Sequence, residues 1–147
     1  MAVYLCQHGE AFTEEENPVR PLTPAGIEKV KEVAKRAFAG RKNPDMIYHS
    51  SKLRAKETAE IIAGEIKFKG IITEIDGINP NDDPKKFFNS TNIASDILIV
   101  SHLPFLSRLI SYLTTGKTDY SIVKFRQGGI VCLEKEDQYW QVFWMQI

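Results

Sequence analysis

The chain has 147 residues, 43% hydrophobic and 26% charged, a size and balance that fit one globular domain over residues 1–147 with a buried core. Lysine plus arginine equals aspartate plus glutamate at 19 each, so no global field draws the molecule to nucleic acid or to an anionic membrane, and anion binding has to come from local clustering. No apolar run nears the roughly 20 residues that span a bilayer, no leader pattern precedes the first strand, and Cys6 and Cys132 fall in apolar strand runs, so a reduced, cytoplasmic protein is expected.

Ala2 to Cys6 reads as a buried strand that stops at a polar Gln7-His8-Gly9 corner, where glycine lets the backbone turn. A histidine is thereby held at a strand end, the edge at which open α/β sheets bind ligands. On its own a His-Gly pair is as compatible with a capped strand end as with a site. The loop from Glu10 to Arg20 carries Glu14-Glu15-Glu16, which reads as a solvated face, because contiguous loop carboxylates seldom converge on a metal.

Thr23 and Pro24 mark a helix start, with threonine as N-cap and proline where its missing N–H costs nothing. Ile27, Val30, Val33 or Ala34, and Ala37 or Phe38 follow at three-to-four spacing, and the helix ends near Gly40. Met46 to His49 reads as a short strand, with His49 as a structural histidine. The next helix opens over Ser50 to Lys56, with an apolar side of Leu53, Ala55, Ala59, Ile62 and Ile66. Lys52, Arg54 and Lys56 crowd its first turn, where each cation opposes the helix dipole by about 0.3–1 kcal/mol. An anion at that helix start would answer them.

Ile71 to Ile75 reads as a third strand, Asp76 to Pro84 as a turn-rich loop, and Lys85 to Ser90 as a brief helix. Ile97 to Val100 is a continuous β-rich run of the kind found in a central parallel strand covered on both faces. It ends in Ser101-His102-Leu103-Pro104, and a helix with Phe105, Leu106, Leu109, Ile110 and Leu113 inward runs to Gly116. Ile130 to Glu134 and Tyr139 to Ile147 read as a final hairpin whose aromatics, Tyr139, Trp140, Phe143 and Trp144, serve core packing and edge cover.

Alternating strands and helices imply an α/β three-layer sandwich, a mostly parallel central sheet with helices on both faces, whose right-handed crossovers bring the strand carboxyl ends to one edge. His8, the Ser50 to Arg54 segment and His102 then meet there. Two imidazoles and a guanidinium beside a helix start make an anion pocket with a nucleophile in it.

The pattern resembles the histidine phosphatase (phosphoglycerate mutase-like) superfamily, most closely its short SixA-type phosphohistidine phosphatases. The resemblance spans nearly the whole chain and rests on His8-Gly9, on Arg20-Pro21-Leu22-Thr23-Pro24-Ala25-Gly26, on Ser50-Ser51-Lys52-Leu53-Arg54-Ala55 with Thr58-Ala59, and on Val100-Ser101-His102-Leu103-Pro104. It implies a phosphoglycerate mutase-like fold and hydrolysis through a covalent phosphohistidine at His8, with Arg54 and His102 as catalytic partners. Gln7, Gly9, Arg20, Arg54 and His102 would bind the phosphoryl oxygens, and the cationic side chains take the part a metal plays elsewhere, so no metal or other cofactor is expected. The implied partner is a phosphorylated substrate, either a phosphohistidine protein or a small phosphate ester.

The chain departs from the family at Gln7, where the family has arginine. Glutamine keeps an amide donor but loses the charge and the bidentate fork, so a lowered rate or a non-catalytic phosphate-binding or phosphoprotein-binding module is the consequence to test. Glu10, Glu74 and Asp76 are the candidate general acids.

Overall fold

The computed structural model describes residues 1–147 as six strands and four helices. In chain order these are β1 (Ala2–Gln7), α1 (Pro24–Ala37), β2 (Met46–His49), α2 (Leu53–Glu65), β3 (Ile72–Glu74), α3 (Pro84–Ser90), β4 (Ile97–Ser101), α4 (Phe105–Thr115), β5 (Ile130–Glu136) and β6 (Tyr139–Gln146). The strands form one sheet in the order β3-β2-β4-β1-β5-β6. The first four are parallel, and β5 and β6 close the other side as an antiparallel hairpin.

Alternation along the central strands builds two cores. Tyr4, Cys6, Leu98 and Val100 point into a cluster of 17 buried residues under α1 and α2; Val3, Leu5, Ile97 and Ile99 point into one of 15 under α3 and α4. Cores of similar size on both faces make this a three-layer α/β sandwich, and explain why β1 and β4 read as unbroken apolar runs.

α1 begins as its residues require: the Thr23 hydroxyl accepts from the Gly26 N–H at 2.9 Å, with proline at the first helical position. Gly26 has a second reason to be glycine, since a Cβ there would stand 2.2 Å from the Glu10 carbonyl oxygen. The helix start thus packs directly on the chain leaving β1. α2 has no such cap; Lys52 precedes it without a side-chain hydrogen bond.

Two sequence expectations shift. Leu53, placed on the inner side of α2, is exposed, because the first turn of that helix sits over the sheet edge rather than over the core. In the hairpin Trp140 is buried and Trp144 stacks near Tyr4 and Phe38, but Tyr139 and Phe143 face solvent on the outermost strand.

Candidate active site

Parallel pairing of β1 with β4 sets Gln7 opposite Ser101, so the residues that follow, His8 and His102, leave the sheet side by side. The His8 N–H donates to the Ser101 carbonyl at 3.0 Å, and the two imidazole centroids lie 5.0 Å apart, about one strand spacing. Arg54 enters from the first turn of α2, beside both rings.

His8 is buried, and its Nδ1 donates to the Gly9 carbonyl at 2.7 Å. That bond fixes the tautomer and leaves Nε2 as an unprotonated lone pair with no protein partner. Burial first, then the charges of Arg54 and Arg20, lower the His8 pKa to about 4, although the Gly9 bond works the other way. His102 falls to about 3, again chiefly by burial, then through His8, Arg54, Lys52 and Arg20. Both rings are neutral at pH 7.

Three buried side-chain polar atoms in the whole chain lack a hydrogen-bond partner: Gln7 Oε1, Arg54 Nε and His102 Nδ1. All three belong to this edge, and an unpaired buried polar atom costs about 1–3 kcal/mol. Arg20, Lys52 and Arg54 form no ion pair with any carboxylate; the ion pairs of the chain are those of Lys31, Arg36 and Lys42. Uncompensated cations and orphaned polar atoms beside a neutral imidazole are a set of groups that a polyoxygenated anion would satisfy.

Arg20 reaches the site from the loop before α1. Its backbone is left-handed, at φ 51°, and its Nε donates to the Phe12 carbonyl at 3.0 Å, which leaves the terminal guanidinium nitrogens available. The rotation that orients Gln7 also decides its use, since turning the carboxamide over replaces the orphaned Oε1 with an NH2 donor.

None of the three candidate acids makes a hydrogen bond or ion pair with His8, Arg54 or His102. The Glu10 carboxylate accepts from the Thr23 hydroxyl at 3.1 Å at the head of α1. Glu74 is exposed at the end of β3, an edge strand separated from β4 by β2. Asp76 lines a separate hollow of about 650 Å³ with Tyr48, Ile75 and Phe87. No three His, Cys, Asp or Glu side chains converge as metal ligands would, and no helix is long and apolar enough to cross a membrane.

Residues to which the sequence reading gave no role hold this arrangement. Thr58 Oγ1 accepts from the Gly9 N–H at 3.0 Å and donates to the Arg54 carbonyl at 2.7 Å, tying the turn after His8 to the turn that carries the guanidinium. Glu57 accepts from the Leu22 N–H at 2.9 Å, anchoring the segment after Arg20 on α2. The Gly128 N–H donates to the Gln7 and His8 carbonyls at 2.9 and 3.2 Å, from a left-handed backbone that suits glycine. Ser50, fully buried, places its hydroxyl 2.6 Å from His102 Nε2. Ser50 and Thr58 stand in the motif that carries the family resemblance, and Thr58 lies four residues after Arg54 on one helix face, but nothing in the sequence points to Glu57 or Gly128.

Residues 3–77 match the family model described as the histidine phosphatase superfamily, branch 1. No curated protein matches the chain in sequence. Among solved structures, the protein histidine phosphatase SixA complexed with tungstate superposes with a TM-score of 0.83 at 23% identity, covering 99% of this chain and 96% of that one. A protein from Agrobacterium tumefaciens, provisionally assigned as the phosphohistidine phosphatase SixA, gives 0.77 at 22% identity over 98% and 96%. The phosphoserine phosphatase of Entamoeba histolytica in complex with 3-phosphoglyceric acid gives 0.70 at 20% identity over 99% and 96%. At these identities the likeness carries the fold.

Proposed function

The chain belongs to the histidine phosphatase superfamily, and from that membership we propose that residues 1–147 act as a single-domain, metal-independent phosphatase that forms a covalent phosphohistidine at His8. The observation that carries the reading is that the chain's three buried, unpartnered side-chain polar atoms, Arg54 Nε, His102 Nδ1 and Gln7 Oε1, belong to residues beside a histidine whose Nε2 is unprotonated. In the first step the His8 Nε2 lone pair attacks phosphorus in line, the bond to the leaving group breaks, and the leaving atom takes a proton. In the second, water attacks the phosphoryl group, the N–P bond breaks, and inorganic phosphate departs with His8 restored. Arg54, Arg20, His102 and the backbone around Gly9 meet the charge on the equatorial oxygens.

None of Glu10, Glu74 and Asp76 pairs with His8, Arg54 or His102, which favours a substrate that needs little protonation on leaving. The imidazole of a protein phosphohistidine meets that need better than the alkoxide of a small ester. The two free, buried cysteines suit a reducing compartment, and we place the activity in the cytoplasm. Incubation with a phosphohistidine donor should leave acid-labile phosphate on His8, lost in His8→Ala; absence of label, with equal phosphate release from both proteins, would exclude the enzyme.

Gln7 supports a second reading, a phosphate-binding or phosphoprotein-binding module whose catalytic power went with the family arginine. In that case phosphate protects the fold against heat while no label forms on His8.

A further inference from the structure

Ser50 takes no part in the chemistry above, yet each of its polar groups has an assigned partner. Its N–H donates to the Val100 carbonyl at 3.3 Å, and its carbonyl accepts from His49 Nδ1 at 2.8 Å, so β4 and the last residue of β2 hold its backbone. Its hydroxyl oxygen accepts from the Lys52 N–H at 3.3 Å and stands 2.6 Å from His102 Nε2. The hydroxyl has no other partner, and the residue is fully buried.

A neutral imidazole carries one proton, on Nδ1 or on Nε2. With the proton on Nε2, the ring and Lys52 would both donate to the Ser50 oxygen, and the buried hydroxyl hydrogen would face no acceptor. With the proton on Nδ1, the hydroxyl donates to the Nε2 lone pair and every group at Ser50 is satisfied. The Nδ1–H is then the one polar group of the His102 ring left without a protein partner, a buried donor beside the His8 ring.

We infer that Ser50 is a positioning residue that holds His102 in its Nδ1–H tautomer, so that this ring offers a donor to a phosphoryl oxygen instead of a competing lone pair. The inference deepens the phosphatase reading and rests on it. His8 reaches the same tautomer by the opposite device, a carbonyl acceptor on Nδ1 where His102 has a hydroxyl donor on Nε2. The two rings therefore differ in the nitrogen that the protein leaves free: a lone pair on Nε2 of His8, a hydrogen-bond donor on Nδ1 of His102. His49 serves the same chain of contacts by fixing the Ser50 carbonyl.

NMR of the full chain with isotope-labelled histidine rings reads which nitrogen carries each proton, His102 being assigned by its loss in His102→Asn. Wild type at neutral pH without phosphate should show His102 protonated on Nδ1. In Ser50→Ala the ring should redistribute toward Nε2–H, and inorganic phosphate should bind about tenfold more weakly, with most of the loss recovered in Ser50→Thr. A wild-type His102 protonated on Nε2 would overturn the inference, and this spectrum decides even if Ser50→Ala does not fold; a folded Ser50→Ala protein that keeps the Nδ1–H form overturns it as well. None of these readings needs turnover. A chain that never labels His8 but shows the tautomer change refutes the phosphatase reading alone, and an active enzyme with the Nε2–H form refutes this one alone.

Discussion

Neither imidazole at the sheet edge should titrate where free histidine does. If His8 is the nucleophile proposed above, its pKa near 4 keeps the free ring reactive from neutral pH down to about pH 5, and activity should fall as the ring takes a proton near 4. A pH profile of kcat/KM that broke near 6.5 instead would show a solvated ring. The same shift acts on stability. Between 6.5 and 4 the unfolded chain binds protons at these positions that the folded chain does not, so the fold is favoured above that window and weakens as pH falls through it. Thermal melts should register a loss on the order of 2 kcal/mol per ring at pH 5 relative to pH 7. At Gln7 the expectation runs the other way: Gln7→Arg should raise turnover about tenfold, since hydrogen bonds from a charged donor contribute roughly 1.5–3 kcal/mol against about 1 for a neutral one. Because the new charge joins Arg20 and Arg54 in an unpaired cluster, the phosphate-free variant should melt below wild type. Of the residues at the site, His8, Arg54 and His102 were legible in the sequence because each follows a strand or opens a helix at the predicted edge. Ser50 and Thr58 were not legible in their roles, because a buried hydroxyl announces itself only through its partners, and these lie 52 and 49 residues away.

The start of α1 shows how far an element can be read and where reading stops. Thr23 and Pro24 identify the cap from local chemistry, but the glycine that follows looks like a defect in a helix until the neighbouring carbonyl of Glu10 is seen. Gly26→Ala should gain helix propensity and still lose stability, because the added methyl meets backbone on the other side; a melting temperature several degrees below wild type is expected, at roughly 2–4 °C per kcal/mol for a chain of this size. An unchanged melt would mean that the loop after His8 yields freely. α2 presents the converse case. Its cationic first turn opposes its own dipole and carries no side-chain cap, and its first residue, Leu53, lies outside the core. Periodicity located that helix but misjudged its first turn, since an apolar stripe cannot tell a turn over the core from one over the sheet edge.

On the scale of the whole molecule, the pattern of alternating elements made a parallel sheet between two helical layers legible from composition and period alone. It did not make legible which strands would be neighbours. That β1 lies against β4, some 95 residues later, is decided by how two apolar faces share two helical layers, a property of the assembled sheet. Anion binding should register on this scale: inorganic phosphate at a hundred times its dissociation constant adds about 2.7 kcal/mol to the folded state, a rise of several degrees in melting temperature, and Arg54→Ala should abolish it. No rise in wild type would leave both functional readings without their ligand.

His8 and His102 cap the two innermost parallel strands, flanked by β2 on one side and by the hairpin on the other. Fraying of the periphery, whether at β3 or along the exposed face of β6, leaves the pair of rings in register. Amides of these two strands should be among the last to exchange with deuterium, and heat should abolish ligand capture and cooperative folding together. The fold has set its reactive groups where local breathing does not reach.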